Sequence, residues 1–212
     1  MTVIVSSPNT ATQNGAVKVP TVNAFDADLP AEPAVEFIKP ISSASYTATH
    51  PEQFEVVFSE SAEPGVEAFS SKLVAKHDYA PGELLATLSN ASQAPVKAYS
   101  SVQYGPGPDH HLELNSDLLF MNHSCAPTAQ LQLPAGTPAR WEVHVGPAGL
   151  AKGEDITFFY PSTEWDMAQG FDCNCGAKTC LGNVQGAKYL TLEQLEARGV
   201  VNDHIRALKA QQ

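Results

Sequence analysis

The sequence predicts a mainly β fold of the α+β class, built from small sheets with short helices near the C-terminus. Sixteen prolines and 14 glycines among 212 residues are many for a helical protein, because proline interrupts helices and glycine weakens them. Short apolar runs separated by turn-forming residues are typical of strands. Helix-type patterns, in contrast, are confined to the last part of the chain.

The strand predictions follow from these apolar runs, taken in chain order. Residues 54–58 (FEVVF) and 71–75 (SKLVA) are rich in β-branched and aromatic side chains, and Pro81-Gly82 gives a turn before the next run. The expected strands cover residues 35–38, 54–58, 71–75, 83–88, 96–102, 129–133, 140–145 and 156–160.

Two helices are predicted close to the C-terminus. Thr191 followed three residues later by Gln194 is a capping-box pattern, which marks the start of a helix. A second helix is expected to begin near Asn202 and to present Ile205 and Leu208 to the core.

Composition narrows the classes of function. A chain with 43% hydrophobic and 17% charged residues is typical of globular proteins, and no apolar run approaches the 18 residues of a membrane span. The net charge of −11 disfavours direct binding to nucleic acid and favours a basic substrate, although it also serves solubility. The first residues lack the basic segment of a secretory signal, so we expect a reducing intracellular compartment, cytoplasm or nucleus.

The four cysteines form the most specific pattern in the chain. Cys173, Cys175 and Cys180 make a C-x-C-x4-C cluster, and Cys125 stands alone earlier in the sequence. Cysteines separated by one residue do not form a disulfide easily, but two thiolates at that spacing suit one metal ion. Three thiolates leave one tetrahedral position, which Cys125 can fill. The alternative is a set of unrelated buried thiols with a reactive pair.

These four cysteines therefore predict a zinc site. Four protein ligands close the coordination sphere and leave no position for substrate or water, so the site is structural. Its binding free energy, on the order of 10 kcal/mol in small peptides, would fasten the C-terminal segment to the body of the domain.

Three segments resemble the SET family of protein-lysine methyltransferases. Residues 120–127, FMNHSCAP, resemble the F-x-N-H-S-C-x-P motif of that family, and residues 153–160, GEDITFFY, resemble G-E-E-L-T-x-D-Y. Residues 173–182, CNCGAKTCLG, resemble the post-SET motif C-x-C-G-x-x-x-C-x-G. The resemblance extends over roughly residues 55–185, and in that family the N-H-S-C cysteine is the fourth zinc ligand.

The resemblance implies a SET-type fold of small curved sheets with a threaded C-terminal segment, a post-SET zinc site and short C-terminal helices. It also implies that S-adenosylmethionine binds on one face and that the target lysine enters from the other. Asn122 and His123 would hold the cofactor by hydrogen bonds. The hydroxyl of Tyr160, as the catalytic residue, would orient the methyl group and the amine. Displacement of the methyl group by a neutral amine depends on alignment more than on a strong base.

The chain departs from the family at the cofactor loop. The family's G-x-G motif falls on Ser70-Ser71-Lys72, without either glycine. Those glycines let the backbone approach the cofactor closely. Lys72, predicted with Leu73 as a cofactor contact, either reaches the cofactor carboxylate or fills the space. Thr128 and Phe159 also replace an asparagine and an acidic residue of the motifs.

The predicted organisation is an N-terminal arm, partly flexible, followed by a SET-like domain, a post-SET zinc segment and a helical tail. Their expected limits are residues 1–50, 51–165, 166–186 and 187–212.

Three functions are compatible with these motifs. The first is an S-adenosylmethionine-dependent N-methyltransferase acting on a lysine of a protein. The second is a small-molecule biosynthetic enzyme on the same scaffold, for example a cyclase, with altered or lost use of the cofactor. The third is a non-catalytic interaction module. The sequence predicts neither the substrate, the degree of methylation nor the oligomeric state.

Overall fold

The computed structural model describes residues 22–40, 42–59 and 71–212. Over these residues the chain forms twelve strands, none longer than four residues, and two short α-helices, besides single 3-10 turns. The strands are β1 (Phe54–Val57), β2 (Lys72–Ala75), β3 (Leu84–Thr87), β4 (Ser92–Gln93), β5 (Val102–Gln103), β6 (His111–Glu113), β7 (Asn122–His123), β8 (Ala129–Gln132), β9 (Glu142–Val145), β10 (Thr157–Phe158), β11 (Phe171–Asp172) and β12 (Asn183–Val184); the helices are α1 (Leu192–Glu196) and α2 (Asp203–Lys209).

The strands associate into five small sheets. Three are two-stranded pairs, β1 with β2, β7 with β10 and β11 with β12, and two are three-stranded with the orders β3-β9-β8 and β4-β6-β5. The β7–β10 pair is parallel and the others are antiparallel. The prediction of a mainly β fold of small sheets with short C-terminal helices is thus confirmed.

The main core lies under the β3-β9-β8 sheet. Burial alternates along β8 and β9, as expected when one face of a sheet is covered. Leu131 and Val143 are completely buried from these two strands, and Leu85 of β3 and the indole of Trp141 pack into the same core. This alternation is the reason the predicted runs at 129–133 and 140–145 form neighbouring strands.

Two predicted strands are wrong. Residues 35–38 lie on the surface, with Val35 69% and Ile38 73% exposed, and the N–H of Val35 donates to the side chain of Asn90 instead of to a strand. Residues 96–101 form a turn closed by hydrogen bonds between Ala98 and Ser101, so the strand begins only at residue 102. An apolar run needs a covered face to become a strand, and these runs lack one.

The C-terminal helices form where the sequence predicts them. Thr191 caps α1 by accepting from the N–H of Gln194, whose side chain accepts in return from the N–H of Thr191 at 2.8 Å. Asn202, at the start of α2, is buried and bridges the carbonyl oxygens of Leu131 and Ser162, both at 3.0 Å. The tail is therefore joined to the central sheet.

A fully buried carboxylate fastens residues 46–50 to the domain. Asp117 accepts hydrogen bonds from the hydroxyl of Tyr46 at 2.6 Å and from the backbone N–H groups of Thr49 and His50 at 2.8 and 2.7 Å. Burial by itself raises the pKa of this carboxyl, but the hydrogen bonds from His50, Thr49 and Tyr46 outweigh it and lower the pKa to about 2. The ring of Tyr46 packs edge-on against Phe120.

None of the helices in the described ranges has the length and apolar character that crossing a membrane requires.

Candidate active site and metal centre

The four cysteines meet at one point, although 48 or more residues separate Cys125 from the others in sequence. The sulfur atoms of Cys125, Cys173, Cys175 and Cys180 all lie within 4.8 Å of one another, and none is in a disulfide. Four thiolates around zinc at about 2.3 Å are about 3.8 Å apart, so the observed cluster fits a tetrahedral site. The donor set is the one that zinc prefers in closed structural sites.

The thiols differ in their tendency to ionise. Burial raises the pKa of Cys125 and of Cys173, the latter to about 12. Burial also opposes ionisation of Cys175, but hydrogen bonds, led by that from the backbone N–H of Ala177, lower its pKa to about 6. Cys125 Sγ also accepts from the N–H of Leu181 at 3.4 Å. A divalent cation between the sulfurs would favour the thiolate form of all four.

The C-terminal tail covers the cysteine cluster. Cys125 belongs to a second apolar core with Phe159, Leu195 and Ile205, which joins the motif segments to α1 and α2. Arg198 donates to the carbonyl oxygen of Thr179 at 2.7 Å, and its guanidinium lies 5.5 Å from the ring of Phe159. The aromatic residue that replaces the family's acidic residue is therefore buried against the tail.

The parallel pairing of β7 and β10 brings the two predicted site motifs together. Asn122 pairs with Thr157 and His123 with Phe158. Tyr160 follows β10 in a 3-10 turn, and its N–H donates to Nδ1 of His123 at 3.2 Å. The structure thus places the predicted catalytic residue beside the two predicted cofactor-binding residues of the N-H-S-C segment.

The Tyr160 hydroxyl is oriented, and the residue is partly buried against the main core. It donates to the carbonyl oxygen of Met121 at 3.0 Å. Burial, with a smaller contribution from the charge of Glu164, raises the pKa of this phenol, so it stays neutral at physiological pH. The rings of Phe158 and Phe171 lie 4.7 and 6.1 Å from its ring. Oxygen acceptors and aromatic faces suit a methyl group on a positively charged sulfonium, so this end of the site fits S-adenosylmethionine.

The altered cofactor loop is held by contacts within the chain. The Asn122 amide donates to the carbonyl oxygen of Ser71 at 2.9 Å, and the Lys72 ammonium lies 2.7 Å from the Asp155 carboxylate. Leu73 is completely buried in the main core, so only its backbone can face a ligand. That Asn122, His123, Lys72 and Leu73 contact the cofactor stays a prediction. Positions 60–70, including the first position of the replaced G-x-G motif, lie outside the described residues.

Sequence reasoning missed several members of the site. Two of them are backbone carbonyl groups, which no sequence motif can mark: that of Met121 accepts from Tyr160, and that of Ser71 accepts from Asn122. The third is the guanidinium of Arg198, which reaches Phe159 from a distant part of the sequence. Phe171 lies outside the three motifs, and its ring is 5.6 Å from the ring of His123. Thr128 fills the motif's asparagine position, and its hydroxyl donates to the carbonyl oxygen of Asp155 at 2.8 Å.

Two sequence relatives and a solved structure are similar to this chain. The methyltransferase flvH of Aspergillus flavus is 39% identical over 163 residues, which are 76% of this chain and 84% of flvH. The histone-lysine N-methyltransferase ash1 of Drosophila melanogaster is 27% identical over 73 residues, 34% of this chain and 3% of ash1. No protein-family model matches the chain.

The crystal structure of KRYPTONITE in complex with mCHH DNA, an H3(1–15) peptide and SAH matches with a TM-score of 0.37 and 17% sequence identity. The match covers 62% of this chain and 29% of KRYPTONITE.

Proposed function

The chain belongs to a SET-like methyltransferase family together with flvH, and on this basis we propose that it transfers a methyl group from S-adenosylmethionine to the amine of a lysine side chain in a protein. The proposal rests on one observation above others, the neutral hydroxyl of Tyr160, which donates to the Met121 carbonyl oxygen while the backbone N–H of Tyr160 donates to His123. The acidic charge of the chain, −11, supports a basic protein segment as substrate. The absence of nucleic acid and of membranes among its partners, and a reducing intracellular compartment, remain predictions.

The chain's own groups would align the reactants. The Tyr160 hydroxyl donates a hydrogen bond to the Met121 carbonyl oxygen. Its own oxygen lone pairs therefore remain available to an amine N–H or to the hydrogens of a reacting methyl group. When bound, S-adenosylmethionine supplies an electrophilic methyl group on a sulfonium. The Tyr160 oxygen would align the neutral lysine amine with that methyl group; S-adenosylhomocysteine would be the other product, and the surplus proton of the methylated amine would pass to water. The buried aromatic rings around Tyr160 would exclude water from this step.

Methyl transfer with labelled cofactor tests the proposal. We expect label from S-adenosylmethionine on lysine residues of a basic peptide mixture. Tyr160→Phe removes the oriented oxygen and should lower kcat about 100-fold. Tyr104→Phe is the control, since Tyr104 belongs to the main core against which Tyr160 packs, and its hydroxyl also makes one 3.0 Å hydrogen bond, to Gln93. Equal loss in both variants, or no labelled lysine with any substrate, would contradict the proposal.

A second function is favoured by the cofactor loop. Lys72 is engaged by Asp155, and the Asn122 amide is engaged by Ser71, so the polar groups expected to face the cofactor are bound within the chain. These contacts support a small-molecule substrate with altered use of the cofactor, on the same scaffold. Calorimetric titration separates the two. Binding of S-adenosylmethionine and competition by S-adenosylhomocysteine support the methyltransferase, whereas no binding at millimolar cofactor favours the second function.

A further inference from the structure

Both ring nitrogens of His123 are occupied by groups of the chain itself. Nδ1 lies 3.2 Å from the backbone nitrogen of Tyr160, and Nε2 lies 3.3 Å from the sulfur of Cys125. One side chain therefore connects a residue of the cysteine cluster to the tyrosine of the candidate active site.

The first contact fixes the direction of the second. A backbone N–H can only donate, so Nδ1 of His123 must accept and carries no proton. The proton of the neutral ring is then on Nε2, which donates it to Cys125 Sγ. Sulfur is a weak acceptor as a thiol and a stronger one as a thiolate, so this bond gains strength when Cys125 binds a metal ion.

The surroundings of the ring hold it in this orientation. The rings of Phe159, Tyr160 and Phe171 lie 5.5, 5.2 and 5.6 Å from the His123 ring. β7, which contains His123, is paired with β10 and cannot shift without breaking that pair. The ring has little freedom to turn toward a ligand.

We propose that His123 is a positioning residue, whose ring sets the backbone of Tyr160 relative to the metal-bound sulfur of Cys125. Its side chain acts on the thiolate from outside the coordination sphere, as hydrogen-bond donors near metal ligands commonly do. The role assigned to Tyr160 rests on the proposed methyltransferase function; the two hydrogen bonds do not depend on it. In this arrangement the zinc site orients the active-site turn as well as stabilising the fold.

Two substitutions each remove one of the two hydrogen bonds of His123 and keep the other. In His123→Asn the short amide reaches the position of Nδ1, so its oxygen keeps the bond from Tyr160 while the donor to Cys125 is lost. In His123→Gln the longer amide reaches the position of Nε2 and keeps the donor to sulfur, while the acceptor for Tyr160 is lost. The same two changes at His144, which also bonds through both nitrogens but on the surface, to Gly82 and Glu142, serve as controls.

Neither readout requires activity. With cobalt(II) in place of zinc, loss of the donor in His123→Asn should move the thiolate-to-cobalt charge-transfer band to lower energy, and His123→Gln should keep the parent spectrum. Amide hydrogen exchange at Tyr160 should be about fivefold to tenfold faster in His123→Gln, as expected for one lost hydrogen bond, and unchanged in His123→Asn.

The opposite outcomes are decisive. A parent cobalt spectrum in His123→Asn, or parent exchange at Tyr160 in His123→Gln, overturns the proposal. If both readouts change as expected but no variant or parent protein transfers methyl groups, the connection stands and the proposed function fails. A side chain that contacted only the cofactor would leave both readouts unchanged and would weaken S-adenosylmethionine binding in both variants.

Discussion

The cysteine cluster and the segment at the G-x-G position both contact residues of the N-H-S-C motif, through Cys125 and Asn122, and differ in how closely they follow the family pattern. The metal centre keeps all four cysteines, with their sulfurs within 4.8 Å, and is enclosed by the tail. The cofactor loop has Ser71 and Lys72 in the G-x-G segment, and it is held by Asn122 and Asp155.

The difference follows from what each region must do. A closed zinc site requires four ligands of fixed type and geometry, so a single change destroys it. A loop that meets a ligand through its backbone tolerates new side chains when they find partners elsewhere in the chain. The substitutions near the motifs show such adjustments, since Phe159 packs beneath Arg198 and Thr128 bonds to Asp155. The cysteine cluster therefore keeps the family pattern, whereas the segment at the G-x-G position does not.

The largest effect is expected at the metal centre. Cys175→Ser removes one ligand and should lower the free energy of unfolding by several kcal/mol, because such sites contribute on the order of 10 kcal/mol. Elemental analysis should show loss of zinc, and thermal unfolding should match that of chelator-treated parent protein. Asn174→Ala, at the exposed position between two of the cysteines, is the control and should keep both zinc and stability. Full stability of Cys175→Ser would mean that the centre is not structural.

A buried carboxylate beside the Tyr160 turn, Glu164, gives a pH-dependent prediction. Burial raises the pKa of Glu164 to about 7. The hydrogen bonds from Gln103 and Thr163 and the positive charge of Lys97 lower this pKa, but by less than burial raises it. The folded chain keeps this proton where the unfolded chain, with an ordinary pKa near 4.5, has lost it. Its contribution to stability is therefore complete below pH 4.5 and declines by roughly 3 kcal/mol as pH rises through 7.

Glu164→Gln should remove that decline. Urea unfolding of both proteins at pH 5 and pH 8 measures it, with Glu55→Gln on the exposed face of β1 as the control. A parallel loss of stability in the parent protein and in Glu164→Gln would assign the pH dependence to other groups.

A smaller effect is expected where the motif segment holds the loop. Asn122→Ala leaves the Ser71 carbonyl without its donor, which costs about 1 kcal/mol of stability. The same loss should weaken S-adenosylmethionine binding about fivefold in calorimetry, because the loop is no longer held. Asn183→Ala removes amide hydrogen bonds on the surface, to Asp172 and from Gln185, and should have no effect on binding. Unchanged affinity in Asn122→Ala would separate the loop from the cofactor site.

The smallest effect is expected at Lys72. Both members of its pair with Asp155 are partly exposed, 41% and 45% for the side chains, so water screens the interaction. Lys72→Met should change stability by less than about 1 kcal/mol. If the pair persists with the cofactor bound, cofactor affinity also stays within a factor of about three. A tenfold or greater loss of affinity would show that Lys72 leaves Asp155 to reach the cofactor carboxylate.

Much of this arrangement was open to prediction from the sequence, for identifiable reasons. Strands with one covered face, such as β8 and β9, alternate in the sequence, and a capping box marks the start of α1. The four cysteines were predicted as one cluster because a metal site restricts both ligand type and number.

The remainder depends on contacts that the sequence does not encode locally. Strands β7 and β10 have two residues each, too few for any periodicity, and their pairing is set by the packing around them. The run at 35–38 has strand-forming residues but stays on the surface, where the N–H of Val35 donates to the side chain of Asn90 and not to a strand. The acceptor of the Tyr160 hydroxyl is a backbone carbonyl, which every residue possesses.

The carboxylate of Asp117 determines where a recombinant fragment can begin. A fragment cut at residue 51, where the SET-like region was expected to start, lacks Tyr46, Thr49 and His50 and so deprives a fully buried carboxylate of the donors that compensate its charge. In such a fragment the Asp117 carboxylate would have to take up a proton or be hydrated by water that enters beside Phe120. Phe120 lies in the segment that leads to Met121 and Asn122. Expression trials on this chain are best started upstream of Tyr46.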